Sequence, residues 1–222
     1  MKRVLYCLIC LLAGVAAVNG QAQTNARALF YAGCSAYGAR HYAVALTNFA
    51  TSVELYPLHA DTYNMLGRTK WWLGDFHGAI EAYNKAVALE PKCGGYYSNR
   101  GQSELSLKMM SETLADFNQA LRLDPKNAQA HFNRGTLEFL YQTNYPAALA
   151  DLNQAIQLHS DPQEEDAFYW RGLTRGKLGD YAGAVADYQR ALALNTNTDW
   201  PTLPNLTTNL ILAQKMLAES KK

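Results

Sequence analysis

Residues whose types could do chemistry are few in this 222-residue chain and are poorly placed to do it. The five histidines, His41, His59, His77, His131 and His159, could move protons or bind a metal ion. No two of them stand three or four positions apart, the spacing that puts two ligands on one face of a helix. They are expected on the surface or in packing. Cys7-Leu8-Ile9-Cys10 has the form of a redox or metal motif but lies in an apolar N-terminal run. Cys34 and Cys93 stand alone, and a disulfide between them is left open. The acidic stretch Asp161-Pro162-Gln163-Glu164-Glu165-Asp166 could suggest a cation site. An aspartate cap, a proline in the first turn and acids at a helix N-terminus account for it without metal. No phosphate-binding glycine loop, zinc-protease helix or nucleophile elbow occurs. Catalysis, a cofactor and a metal are therefore not expected. Asn205-Leu206-Thr207 has the form of a glycosylation sequon, but a single match is near chance.

The elements that hold these residues follow from composition and periodicity. Hydrophobic residues make up 49% of the chain and charged residues 18%, which suits a globular core and excludes both disorder and a multi-span membrane protein. The net charge of +1 includes Lys2 and Arg3; without residues 1–20 there are 18 basic groups against 19 acidic. Nucleic acid is an unexpected partner for such a surface.

Lys2-Arg3, a mostly apolar run from Val4 to Val18, and the polar Asn19-Gly20-Gln21-Ala22-Gln23 follow the order of a secretory signal peptide. The run would rise only about 22 Å as a helix, short of the roughly 30 Å of a bilayer's hydrocarbon core. Cleavage is expected after Gly20, with a site after Ala22 as the rival. The mature protein, residues 21–222, would be exported to the periplasm or the exterior without stable membrane insertion.

Gly33, Gly67, Gly101 and Gly135 recur every 34 residues, and Gly172 follows after 37. Pro57, Pro91 and Pro125 repeat with the same period. Apolar residues within each unit recur at three and four, as in Ala79, Tyr83 and Ala86, so each unit predicts two amphipathic helices. Leu73-Gly74-Asp75-Phe76 and Leu178-Gly179-Asp180-Tyr181 offer a glycine to end one helix and an aspartate to cap the next. The fourth unit gains one residue around Gln142-Thr143-Asn144 and two near His159-Ser160-Asp161-Pro162, and both insertions are expected in turns.

On these residues the chain resembles the tetratricopeptide repeat family, whose unit is a 34-residue helical hairpin. Gly67 with Ala79 and Gly172 with Ala184 match that family's pair of small residues at the closest approach of the two helices. The resemblance implies an all-α, right-handed α-solenoid of about five hairpins. These fall near 26–59, 60–93, 94–127, 128–164 and 165–198, followed by a capping helix near 204–220 with Leu206, Leu210, Ala213 and Leu217 on one stripe. In the third hairpin Lys108-Met109-Met110-Ser111 lacks the Gly-Asp turn and Thr113 replaces alanine, so this hairpin is expected to be looser. Arg100, Arg134 and Arg171 precede a glycine where Asp116, Asp151 and Asp187 appear in the second helix, whereas the second unit has Leu66 with Ala82. Three structural ion pairs are predicted, each joining the helices of one hairpin.

In this family the first helix of each hairpin lines a concave groove that receives a partner. The resemblance places Phe30, Cys34, Asp61, Asn64, Arg68, Trp71, Trp72, Ser98, Asn99, Gln102, Phe132, Asn133, Phe139, Tyr169 and Trp170 there. Adjacent Trp71 and Trp72 point about 100° apart, so either both serve the groove or one indole covers the other in the core. Asn99 and Asn133 could hold the backbone of an extended peptide or cap neighbouring helices. Phe30 and Cys34 stand where some relatives carry the lysine and asparagine of a carboxylate clamp, which argues against chaperone-tail binding. The expected function is a non-enzymatic scaffold of the cell envelope or exterior that binds a peptide or protein segment in the groove. The alternatives are a structural subunit assembling through the solenoid ends, or an accessory or glycan-binding partner of an envelope enzyme.

Overall fold

The computed structural model describes the backbone of residues 2–158, 164–194 and 203–220 and the side chains of 20–158, 165–194 and 205–220. The described residues form eleven α-helices and no strand. They divide into two compact units, Met1–Thr113 and Leu114–Lys222. The first holds α1 (Lys2–Gly38), α2 (Tyr42–Leu55), α3 (Ala60–Trp72), α4 (Phe76–Leu89), α5 (Gly94–Ser106) and the start of α6 (Met110–Leu123). The second holds the rest of α6, α7 (Ala128–Leu137) with a π-helical turn Glu138–Gln142, α8 (Tyr145–Leu158), α9 (Glu164–Lys177), α10 (Tyr181–Leu194) and α11 (Leu203–Glu219). Among the described residues no helix is long and apolar enough to cross a membrane.

The hairpin turns share one backbone device. Arg40, Gly74, Lys108, Thr143 and Gly179 all have positive φ, between 51° and 82°. In four of the five the amide two positions after the first helix's final turn closes back on a carbonyl five residues earlier at 2.9 Å: His41 on Ala36, Asp75 on Lys70, Met109 on Glu104 and Asp180 on Arg175. This is the Schellman closure of a helix C-terminus. Asp75 and Asp180 then accept from the amides of Gly78 and Gly183 at 2.9 and 2.8 Å, capping α4 and α10. At the turn of the third hairpin, which lacks the glycine, Lys108 adopts the left-handed conformation itself, at a steric cost that glycine escapes. Thr113 fits its fully buried site by donating to the Met109 carbonyl at 2.7 Å.

The extra residue of the fourth unit does not lie in the turn, as expected, but widens the end of α7. There the Asn144 amide reaches back to the Glu138 carbonyl at 3.2 Å, across the π-helical turn. The two further residues near 159–162, and the start of the acidic stretch, lie outside the described residues.

Within hairpins, ring carbons of a second-helix aromatic occupy the space beside the repeat glycine. A Cβ on Gly33 would stand 2.6 Å from Phe49, on Gly67 2.7 Å from Tyr83 and on Gly172 2.6 Å from Tyr188. Ala79 and Ala184, the expected partners of two of these glycines, are fully buried. Arg134 grips Asp151 through Nε and Nη2 at 2.6 and 2.7 Å, joining α7 to α8. Arg171 does the same to Asp187 at 2.9 and 2.6 Å, joining α9 to α10, and Arg175 adds a third bond at 2.8 Å. Arg100 lies in the first unit and Asp116 in the second; Arg100 meets Asn84 at 2.7 Å and Glu104 at 3.8 Å. Leu206 and Ala213 of α11 are buried with Ala184, Tyr188 and Ala191 of α10, so α11 covers the last hairpin.

Candidate functional site

In the first unit, Asp61, Asn64, Arg68 and Trp72 follow one another along α3 at spacings of three and four, forming a single stripe. Asp61, Arg68 and Trp72 are exposed and Asn64 is half-buried. The stripe is tied to the neighbouring first helices by three side-chain hydrogen bonds, each between residues 35 apart. Trp72 Nε1 donates to Tyr37 Oη at 2.8 Å, Tyr96 Oη donates to Asp61 Oδ1 at 2.8 Å, and Asn99 Nδ2 donates to Asn64 Oδ1 at 2.9 Å. Burial and the bond to Asp61 both push the Tyr96 hydroxyl's pKa up, so it remains a donor. The asparagine pair spends one oxygen and one amide hydrogen, leaving Asn64 Nδ2 as a donor and Asn99 Oδ1 as an acceptor.

Trp72 and Trp71 part company. Trp72 is 53% exposed and stacks on Tyr42, with planes 3° apart and centroids at 5.4 Å. Trp71 is half-buried, edge-on to Trp72 at 5.1 Å and against Phe76 at 6.2 Å, and its Nε1 is buried without a hydrogen-bond partner among the described residues. Arg68 lies over the Tyr37 ring at 5.0 Å, completing a platform of three rings and a cation with Trp72 and Tyr42. Tyr37 and Tyr42 are not among the residues expected from the sequence. Tyr42 stands 34 residues before Phe76, at the equivalent start of a second helix, and that register is the available signal.

The remaining expected residues are dispersed. Phe30 and Cys34 pack against the core of the first hairpin, where burial pushes the Cys34 thiol's pKa up. Cys34 and Cys93 are both free. Ser98 is buried with its hydroxyl unpartnered among the described residues, and Gln102 is half-buried.

In the second unit, Asn133 is buried: its Oδ1 accepts from Gln129 at 2.8 Å and its Nδ2 has no partner among the described residues. Phe132 is half-buried on the same helix. Phe139, Trp170 and Tyr169 form a run of edge contacts at 5.6 and 5.8 Å, and Asn209 of α11 donates to Tyr169 Oη at 3.2 Å. Glu138, in the π turn, is buried with one carboxylate oxygen unpartnered among the described residues. Burial raises its pKa, Asp151 adds to the rise, and Arg134 opposes it. Asp166 is another perturbed acid. In the first turn of α9, burial, with Glu165 beside it, pushes its pKa up to about 6. Among the described residues no three His, Cys, Asp or Glu side chains cluster as metal ligands.

The sequence matches the profile of the tetratricopeptide repeat over residues 30–92, 64–112 and 137–198. No curated protein matches the chain. Among solved structures, a thermophilic repeat protein of this kind from Thermus thermophilus is similar at a TM-score of 0.65 and 23% identity, over 86% of this chain and 99% of that one. YrrB, described as a repeat protein with an unusual peptide-binding site, is similar at 0.59 and 18%, over 84% and 90%. MamA from Desulfovibrio magneticus is similar at 0.64 and 16%, over 79% and 98%. At these identities the likeness concerns the fold.

Proposed function

Because the chain belongs to the tetratricopeptide repeat family, we propose that it is a non-enzymatic scaffold that holds an extended segment of a protein partner along the first-helix face of its hairpins. The observation that carries this reading is the α3 stripe in the first unit. Asn64 Nδ2 and Asn99 Oδ1 remain after their mutual bond, and one donor with one acceptor is what a peptide backbone presents to a side-chain amide pair. Trp72, exposed yet fixed by Tyr37 and Tyr42, offers a rigid aromatic surface whose ordering cost is already met in the folded protein. Arg68 beside it adds a positive charge for an acidic or carbonyl-rich segment. The N-terminal order of charge, apolar run and small residues supports a place for this scaffold in the envelope or outside the cell.

Photo-crosslinking from a probe at position 72, with a probe at exposed Glu81 as control, tests the reading in the native envelope. A protein captured from position 72 and not from 81 is the expected result; equal capture from both overturns it.

A second reading, assembly through the chain's end, is favoured by Ile211 and Leu212 on α11, which are 62% and 55% exposed. A native mass that falls to the monomer on substituting Leu212→Ser supports it; a monomer before substitution removes it.

A further inference from the structure

The geometry points to a second binding site in the first unit, beside the N-terminal end of α3: a pocket that takes an aromatic ring bearing a carboxylate. The pocket, of about 310 Å³, opens between α1 around Gln23–Tyr31, the end of α2 and the start of α3. That volume is at the small end of ligand cavities and suits one ring with its acid group. Three rings form its walls: Phe30, Tyr31 and Tyr56. His59 closes it, edge-on to Phe30 at 5.2 Å between centroids. Aromatic walls at such angles accept a further ring edge-on or offset.

The charge is equally specific. Among the described residues, Arg27 is the sole charged side chain lining the pocket. It is exposed, its guanidinium sits over the Tyr31 ring at 5.6 Å with a long 3.4 Å bond to that tyrosine's oxygen, and no described carboxylate neutralises it. Asp61, in the first turn of α3, does not line the pocket and accepts from Tyr96. His59 Nδ1 accepts from the Thr62 amide at 3.2 Å as the cap of α3 and lies 2.7 Å from the Thr62 hydroxyl, so the N–H of the neutral ring is at Nε2. The α3 N-terminus behind it adds positive potential. Ser52, by contrast, is spent on the Ala26 carbonyl at 2.8 Å. A guanidinium, an imidazole N–H and three rings, with no acid lining the pocket, select an anion attached to an aromatic group. Such a group could arrive as a free aromatic acid or as the C-terminal aromatic residue of a protein.

Titration of the protein with 3-phenylpropionate, its uncharged amide, and a peptide ending in phenylalanine with a free or amidated C-terminus tests the site, read by calorimetry and by the Tyr31 and Tyr56 ring resonances. The acid should bind and shift both rings. The amide should bind at least about tenfold more weakly, the scale of a charge-assisted hydrogen bond. R27Q, at an exposed position, should erase that difference while melting like the unsubstituted protein. Tighter binding by the free-ended peptide than by the acid supports a protein C-terminus as the source, and equal binding supports a free acid. Equal affinity for acid and amide, unchanged selectivity in R27Q, or no shift of the two rings overturns the proposal. Any of these outcomes leaves the crosslinking result at position 72 untouched.

Discussion

Trp72 and Tyr42 lie parallel, 3° apart in plane and 5.4 Å between centroids, although they belong to different hairpins and sit 30 residues apart in the chain. With its Nε1 bound to Tyr37 and half its surface in water, Trp72 is fixed without being buried. Trp72→Ala should therefore cost only about 1 kcal/mol of stability, the worth of a stacked pair. Trp71→Ala should cost about 2 kcal/mol or more, because it opens a gap against Phe76. Denaturant melts of the two variants check the order.

Gly172 and Gly176 stand one turn apart on α9 and should respond with opposite signs. A Cβ at Gly172 meets the Tyr188 ring at 2.6 Å, whereas one at Gly176 meets nothing within 4 Å. Gly172→Ala should destabilise by about 1–3 kcal/mol through overpacking. Gly176→Ala should stabilise by about 0.5–1 kcal/mol by restricting the unfolded chain and favouring helix. Paired urea titrations read both.

Asp187 receives three bonds from Arg171 and Arg175 and its side chain is 4% exposed. Asp187→Ala leaves Arg171 without an acid and Arg175 with only its looser pair to Asp180 at 3.6 Å, and should cost about 3 kcal/mol. Lys70→Ala, which removes the exposed pair with Asp75, should cost less than about 1 kcal/mol. Raising salt should leave the first deficit nearly intact and shrink the second.

Asp166 carries a pKa of about 6 because burial disfavours its charge and Glu165 adds to the effect. An acid whose pKa is raised on folding binds its proton more tightly in the native state. Its contribution to stability is complete below the unfolded value near 4 and is lost as the pH rises through about 6. Asp166→Asn should flatten that decline. Relative to the unsubstituted protein it should be more stable at pH 7 and gain nothing at pH 4, as thermal melts at the two pH values will show.

Lys108 holds φ at 60° in a turn where the second and fifth hairpins use glycine. Lys108→Gly should remove a left-handed strain of about 1 kcal/mol without altering the Met109 closure on Glu104. A small rise in melting temperature with unchanged helical content is the expected reading.

Much of this is legible in the residues alone, because a repeat writes its contacts locally. The 34-residue recurrence of Gly33, Gly67, Gly101 and Gly135 marks where a side chain of the second helix must fit, and the Gly-Asp turns announce where helices end. Of the three ion pairs that the Arg-Asp correlation names, Arg134 with Asp151 and Arg171 with Asp187 are the two whose members share one compact unit. The turn at Lys108 keeps its closure because a missing glycine lowers the preference for a left-handed residue without forbidding one, and the closure of the helix end outweighs that preference.

By itself, then, the sequence determined the all-α hairpin repeat and the set of residues on each helix face, since both follow from spacing along one chain. The tertiary structure decided which of Trp71 and Trp72 faces water, that Asn64 and Asn99 meet each other, and that Arg27 stands beside a ring-walled pocket. The physical reason lies in the bonds of separation 35, which join Tyr37 to Trp72, Asp61 to Tyr96 and Asn64 to Asn99. Spacing places a side chain on a face, but whether it is satisfied, stacked or left open depends on the rotation of the next hairpin, and only packing fixes that angle.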